Sequence, residues 1–121
     1  MPRKRILVVD DEPEMVVLVR SVLERAGYEV DAAFSAAEGR ERLAKSAYDL
    51  IILDFLLKDG LGEGLLKIIR AKENLKSLPV IIITAFSSRG AKSFLSQGAT
   101  DVLFKPISLG ELLSKVHLMT G

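Results

Sequence analysis

Three stretches of this chain are apolar without a break: Ile6-Leu7-Val8-Val9, Leu50-Ile51-Ile52-Leu53 and Val80-Ile81-Ile82-Ile83. Runs this short and this rich in branched side chains read as strands covered on both faces, as in the interior of a parallel sheet. They predict strands over residues 5–10, 49–54 and 79–84, with a further strand over 100–105. Residues 28–33 differ. There Glu29 and Asp31 alternate with Val30 and Ala32, so one face is wetted and the strand belongs at an edge.

Between the strands the period changes to that of helices. Pro13 opens the first, where a missing N–H costs nothing; Met15, Leu18, Val19 and Val22 form its expected inward stripe, and Gly27 its stop. Ser35 and Glu38 have the spacing of a capping box at the second helix. Gly39 inside it costs roughly 1 kcal/mol against alanine and marks it as one of the weaker helices. A loop rich in glycine, Asp59-Gly60-Leu61-Gly62, leads into a third helix carrying Leu65, Ile68 and Ile69. Ser87 or Ser88 caps a fourth, which bears Ala91, Phe94 and Leu95 and stops at Gly98. Ser108 and Glu111 repeat the capping box at a fifth, with Ile107 placed to staple onto Leu112.

A strand–helix unit repeated five times implies an α/β fold: a doubly wound five-stranded parallel sheet with helices on both faces. Right-handed crossovers and an alternating edge strand are both satisfied by the order 2-1-3-4-5. In that order the winding reverses between the first and third strands, and ligands sit above the reversal. Asp10 and Asp11 follow the first strand and Asp54 ends the third, so three carboxylates converge there.

Composition narrows the function classes. With 121 residues, 49% of them hydrophobic, the chain suits one domain over residues 1–121. Seventeen basic and sixteen acidic residues leave a net charge of +1, which argues against direct nucleic-acid contact; Arg3-Lys4-Arg5 reads as a solvated tip. Without cysteine there is no disulfide, zinc-thiolate site or thiol nucleophile. No apolar stretch approaches the roughly 20 residues of a membrane span, and no secretory signal opens the chain. A soluble cytoplasmic domain away from the membrane is expected.

Thr84 and Lys105 end the fourth and fifth strands, at the same edge as the three acids. A single aspartate after a strand is usually a turn residue or a helix cap. Five such groups over one crevice point instead to phosphoryl transfer onto a carboxylate. The transferred group adds negative charge, which calls for a divalent cation; Mg²⁺ takes carboxylate, water and phosphate oxygens. Lys105 offers a point charge to a phosphate oxygen and Thr84 a hydroxyl donor.

With these residues in place the chain resembles the receiver domain of bacterial two-component response regulators, a flavodoxin-like fold. The likeness rests on Ile6-Leu7-Val8-Val9-Asp10-Asp11-Glu12-Pro13, Asp49-Leu50-Ile51-Ile52-Leu53-Asp54, Ile83-Thr84-Ala85 and Gly98-Ala99-Thr100-Asp101, with Lys105-Pro106 beyond. The resemblance implies that Asp54 accepts a phosphoryl group from a sensor histidine kinase or a phosphotransfer protein. It implies that Asp10, Asp11, Asp54 and the backbone carbonyl of Leu56 hold Mg²⁺ (or Mn²⁺), and that Thr84 and Lys105 bind phosphoryl oxygens. It further implies a cis Lys105–Pro106 bond and a role for Gly62 in turning the loop into the third helix. The expected function is a phosphorylation-dependent switch, not a turnover enzyme, acting on an effector domain, an output protein or a phosphorylation-dependent homodimer. The alternative is a pseudo-receiver or phosphorelay module without its own output.

The chain departs from the family pattern in three ways. Val102 stands where an aromatic ring usually changes orientation; valine is stiff at χ1, so activation is expected to travel by backbone and helix shifts. Lys58 replaces the usual proline of the acceptor loop and reads as an exposed lysine. Leu56 and Phe86, two places past Asp54 and Thr84, are apolar and cannot orient a hydrolytic water, so slow self-dephosphorylation is expected. Leu56 also stands where an aspartate-nucleophile phosphatase of the haloacid-dehalogenase type needs its general acid. Asp10-Asp11-Glu12-Pro13 would repel the phosphate of a flavin. His117, the single histidine, reads as a surface residue remote from the acids.

Overall fold

The computed structural model describes residues 3–85 and 90–121. The chain runs β1 (Arg5–Val9), α1 (Pro13–Arg25), β2 (Glu29–Ala33), α2 (Ala36–Lys45), β3 (Leu50–Asp54), β4 (Leu56–Leu57), β5 (Gly60–Leu61), α3 (Gly62–Ala71), β6 (Val80–Thr84), α4 (Ala91–Ser96), β7 (Asp101–Phe104) and α5 (Leu109–Thr120). Five strands form one parallel sheet in the order β2-β1-β3-β6-β7. Counted along that sheet alone, this is the expected 2-1-3-4-5. The strands are a residue or so shorter than the sequence pattern suggested.

Alternate strand residues enter two cores, one on each face. Leu7, Val9, Ile51, Leu53 and Ile82 pack with Leu65, Ile69 and Phe94. Ile6, Val8, Ile52, Ile81 and Ile83 pack with Val16, Val19, Leu23, Leu112 and Val116 of α1 and α5. This two-sided burial is why the central strands are unbroken apolar runs. The edge strand β2 keeps Glu29 exposed and Asp31 half-buried while Val30 and Ala32 are covered.

Three elements differ from the sequence reading. The inward stripe of α1 is Val16, Val19 and Leu23, while Leu18 is 46% exposed. Both stripes obey the helical period, and only the direction of docking separates them. The loop after Asp54 contains a two-stranded antiparallel hairpin, β4–β5, too short to leave a periodic trace. Gly39 is also more than a weak point. A Cβ there would stand 3.0 Å from Leu65 Cδ2 and 3.2 Å from Val9 Cγ2, so the glycine lets α2 sit close to β1 and α3.

The helix signals hold elsewhere. Ser35 and Ser108 each accept a hydrogen bond from the N–H three residues on, Glu38 at 3.1 Å and Glu111 at 3.2 Å. Gly27 ends α1 at φ +100°, a conformation that suits glycine. Ile107 packs against the core that holds Leu112. The expected caps Ser87 and Ser88, and Phe86, lie outside the described residues. Among the described residues no helix is long and apolar enough to cross a membrane.

Candidate functional site

Because all five strands run the same way, their carboxyl ends share one edge of the sheet. Asp10 follows β1, Asp54 closes β3, Thr84 closes β6 and Lys105 follows β7. Register carries them together. Asp54 pairs with Ile83, one place before Thr84, and the Lys105 N–H donates to the Thr84 carbonyl at 2.8 Å. Asp10, Asp54 and Thr84 are 2%, 5% and 1% exposed. Burying acids at a strand edge forfeits hydration, a cost that core packing alone does not demand.

The ammonium of Lys105 is the centre of the arrangement. Its Nζ lies 3.0 Å from Glu12 Oε1, 3.5 Å from Asp54 Oδ2 and 3.8 Å from Asp10 Oδ2. One carboxylate oxygen each from Asp10, Glu12 and Asp54 falls within 4.8 Å of the others. Three hard oxygen donors at that spacing fit a Mg²⁺ or Mn²⁺ ion, which takes carboxylate oxygens and completes its shell with water. Asp11 stands outside this trio, half-buried, yet its charge adds to the upward push on both Asp10 and Asp54. Leu56 opens β4 two places after Asp54, with its side chain 46% exposed.

The electrostatics follow from burial and like charge. Burial, then the neighbouring Asp10, pushes the Asp54 carboxyl up to about 7, and Lys105 opposes the shift. Asp10 is raised as well, chiefly by burial, against a hydrogen bond from the Glu12 N–H. Burial alone would lower Lys105, but the Glu12 hydrogen bond and the charges of Asp54, Asp10 and Glu12 outweigh it and hold the lysine above its usual value. Near neutral pH Asp54 is therefore partly protonated, and a divalent cation would displace that proton.

The loop after Asp54 is braced from two sides. Gly62 N–H donates to the Phe55 carbonyl at 2.6 Å, closing the hairpin onto the start of α3. A Cβ on Gly62 would run into the carbonyl oxygen of Asp54. At the hairpin tip, Asp59 accepts from the N–H groups of Ala36 and Ala37 at 2.9 and 3.1 Å, which caps α2 and lowers the Asp59 pKa. Lys58 beside it is exposed, as its loop position suggested.

Sequence reasoning named Asp10, Asp11, Asp54, Thr84, Lys105 and Leu56, and missed Glu12 and Asp59. The signal for Glu12 was its place as third acid in Asp10-Asp11-Glu12. Nothing in the linear chain shows that Asp59 reaches a helix more than twenty residues upstream. The Lys105–Pro106 bond is cis. Val102 is buried on the face of the sheet that holds Phe94. His117 is exposed and away from the acids, although its Nδ1 lies 2.7 Å from the Tyr28 hydroxyl.

Comparison with known proteins agrees with this geometry. Residues 6–117 match the family model described as the response regulator receiver domain. The transcriptional regulatory protein DltR of Streptococcus agalactiae is 37% identical over 117 residues, covering 96% of this chain and 51% of its own length. The receiver domain of a Francisella response regulator superposes with a TM-score of 0.90 at 31% identity, covering 98% of this chain and 97% of that one. The response regulator TrrA of Thermotoga maritima, solved in complex with Mg²⁺ and BeF, gives 0.86 at 34% identity, covering 96% and 98%. The chain spans about half the length of the curated relatives it matches.

Proposed function

The chain belongs to the response regulator receiver domain family, signalling switches of two-component systems rather than turnover enzymes, and from that premise we propose that Asp54 is its phosphoacceptor. The observation that carries this reading is the buried pair Asp10 and Asp54 sharing one ammonium, Lys105, at the open edge of the sheet. A carboxylate oxygen of Asp54 attacks the phosphorus of a donor. The new C–O–P bond makes an acyl phosphate while the bond to the donor's imidazole nitrogen breaks and its electron pair stays with the imidazole. Lys105 offers its ammonium, and Thr84 its hydroxyl, to the oxygens of the transferred group. Asp10, Asp11, Asp54 and the Leu56 carbonyl, joined by Glu12, are the residues available to hold Mg²⁺ or Mn²⁺. Such an ion, when bound, supplies neutralising charge and keeps Asp54 ionised.

A sensor histidine kinase or a phosphotransfer protein is the proposed donor. Relatives named as transcriptional regulators are about twice this length, so the output is proposed to rest with an effector segment, a partner protein or a phosphorylation-dependent homodimer. Burial of Val102 supports activation through backbone and helix shifts. The test of the acceptor role is incubation with acetyl phosphate, with and without Mg²⁺, followed by intact mass; one phosphoryl group, dependent on the cation, is expected.

Leu56 sets a second expectation. Its exposed apolar side chain beside Asp54 cannot orient an attacking water, so the acyl phosphate should decay slowly. Leu56→Asn adds one hydrogen-bonding group worth about 1 kcal/mol, which corresponds to roughly fivefold faster decay. An unchanged half-life in that variant would remove this explanation for slow decay.

A further inference from the structure

We propose that Glu12 is a positioning residue for phosphoryl transfer: its carboxylate holds the Lys105 ammonium on the α1 side of the crevice, and must release it before the ammonium can engage a phosphoryl group on Asp54. The inference deepens the proposed function and rests on Asp54 being the acceptor.

The distances give the first support. Of the three carboxylates around Lys105 Nζ, Glu12 is nearest at 3.0 Å, while Asp54 at 3.5 Å and Asp10 at 3.8 Å lie at or beyond ordinary hydrogen-bond length. The backbone gives the second. Glu12 is the residue before the first turn of α1, in extended conformation at φ −96° and ψ 107°, and its side chain makes no capping bond to that helix. Its N–H donates to Asp10 Oδ1 at 2.9 Å, and its carbonyl accepts from the Val16 N–H at 3.1 Å. Pro13 follows at the first helical position and stiffens the chain there. The backbone of Glu12 is thus fixed on both sides, and its side chain spans from the loop after β1 to the loop after β7. Asp10 sets where Glu12 stands, and Glu12 sets where Lys105 points.

The hold is weak enough to be broken in use. The Glu12 side chain is 62% exposed and that of Lys105 18%, and solvent-exposed ion pairs shift an equilibrium by only about two- to fivefold. A phosphoryl group carries more negative charge than one carboxylate and so wins the ammonium. The transfer of Lys105 from Glu12 to the phosphoryl oxygens is then a conserved-charge exchange, with the Glu12 carboxylate left to solvent.

Glu12 could instead act only as one more negative charge. Two substitutions in the full chain separate these roles. Glu12→Asp keeps the charge but is one methylene too short to hold Lys105, whereas Glu12→Gln removes the charge. With acetyl phosphate at Mg²⁺ concentrations that saturate each variant, so that metal affinity does not limit the rate, Glu12→Asp is expected to speed phosphorylation about two- to fivefold. Glu12→Gln is expected to speed it as well and to weaken Mg²⁺ binding. In cation-free protein, the ¹⁵Nζ resonance of Lys105 should move in both variants. A Glu12→Asp protein with the wild-type rate and an unmoved Lys105 signal would overturn the proposal, leaving a role in charge alone. Wild-type protein that takes no phosphoryl group would instead overturn the acceptor reading beneath it.

Discussion

Replacing Asp54 with asparagine is expected to make the protein more stable at neutral and alkaline pH, although it removes the central side chain of the site. Asp54 is 5% exposed, and burial together with Asp10 pushes its carboxyl up to about 7, well above the 3.8 of a free aspartate. The folded state therefore binds this proton more tightly than the unfolded chain does. Between about pH 4 and pH 7 folding is accompanied by proton uptake, so stability falls as pH rises through that window. Below it the cost is absent, and above it complete, at most about 4 kcal/mol for a shift of this size. Asparagine carries no charge to desolvate and leaves Lys105 to Asp10 and Glu12. Losing the 3.5 Å contact between Lys105 and Asp54 offsets part of the gain. Urea unfolding without divalent cations should place Asp54→Asn roughly 2–3 kcal/mol above wild type at pH 8, with the two nearly equal at pH 4. A variant less stable than wild type at pH 8 would mean that Asp54 is compensated in the fold rather than frustrated. Mg²⁺ should raise the stability of wild type and much less that of the variant, since only a ligand bound to the folded state shifts the balance.

The second large effect falls on Gly62. Alanine in the first turn of a helix is ordinarily harmless, yet here a Cβ would meet the carbonyl oxygen of Asp54 and stand 3.2 Å from Phe55 Cα. Both neighbours are backbone, so no rotamer change relieves the clash. Moving α3 away would stretch the 2.6 Å bond from Gly62 N–H to the Phe55 carbonyl and shift the loop that carries Leu56. Gly62→Ala is expected to cost about 3 kcal/mol, at the upper end for forced overpacking, and to slow phosphorylation at least about tenfold through misplacement of the acceptor loop. Gly64, two residues on, is the control. Nothing lies within 4 Å of a Cβ there, so Gly64→Ala should stabilise by roughly 0.5–1 kcal/mol. Equal behaviour of the two variants in thermal unfolding and phosphorylation would show that the close approach at Gly62 is not what fixes the loop.

The parts of this molecule that could be read from sequence are those where one residue's pattern determines its surroundings. The unbroken run Val80-Ile81-Ile82-Ile83 can be covered only on both faces, and the alternation around Val30 and Ala32 only on one. With right-handed crossovers added, the order 2-1-3-4-5 satisfies both facts, and it brings Asp10, Asp54, Thr84 and Lys105 to one edge. What could not be read depends on distances between elements. Leu18 and Val16 fit the period of α1 equally well, and the packing of that helix against β2 and α5 chooses Val16. Gly39 looks like a propensity fault until Leu65 and Val9 are placed against it. The hairpin β4–β5 has two residues per strand, too few to show alternation. Glu12 has a long, exposed side chain whose direction is set by Asp10 holding its N–H. Asp59 caps a helix to which it is not adjacent in the chain.

The acids at the carboxyl edge of the sheet, held around Lys105, are expected to make Asp54 and no other carboxylate the acceptor of a phosphoryl group. Phosphorylation by acetyl phosphate with Mg²⁺, reduction of the acyl phosphate with borohydride and peptide mapping locate that group to a single residue. Homoserine at position 54, absent when the cation is chelated, is the expected result. Modification at Asp10, Asp11 or Glu12, or no modification in the presence of Mg²⁺, would contradict it.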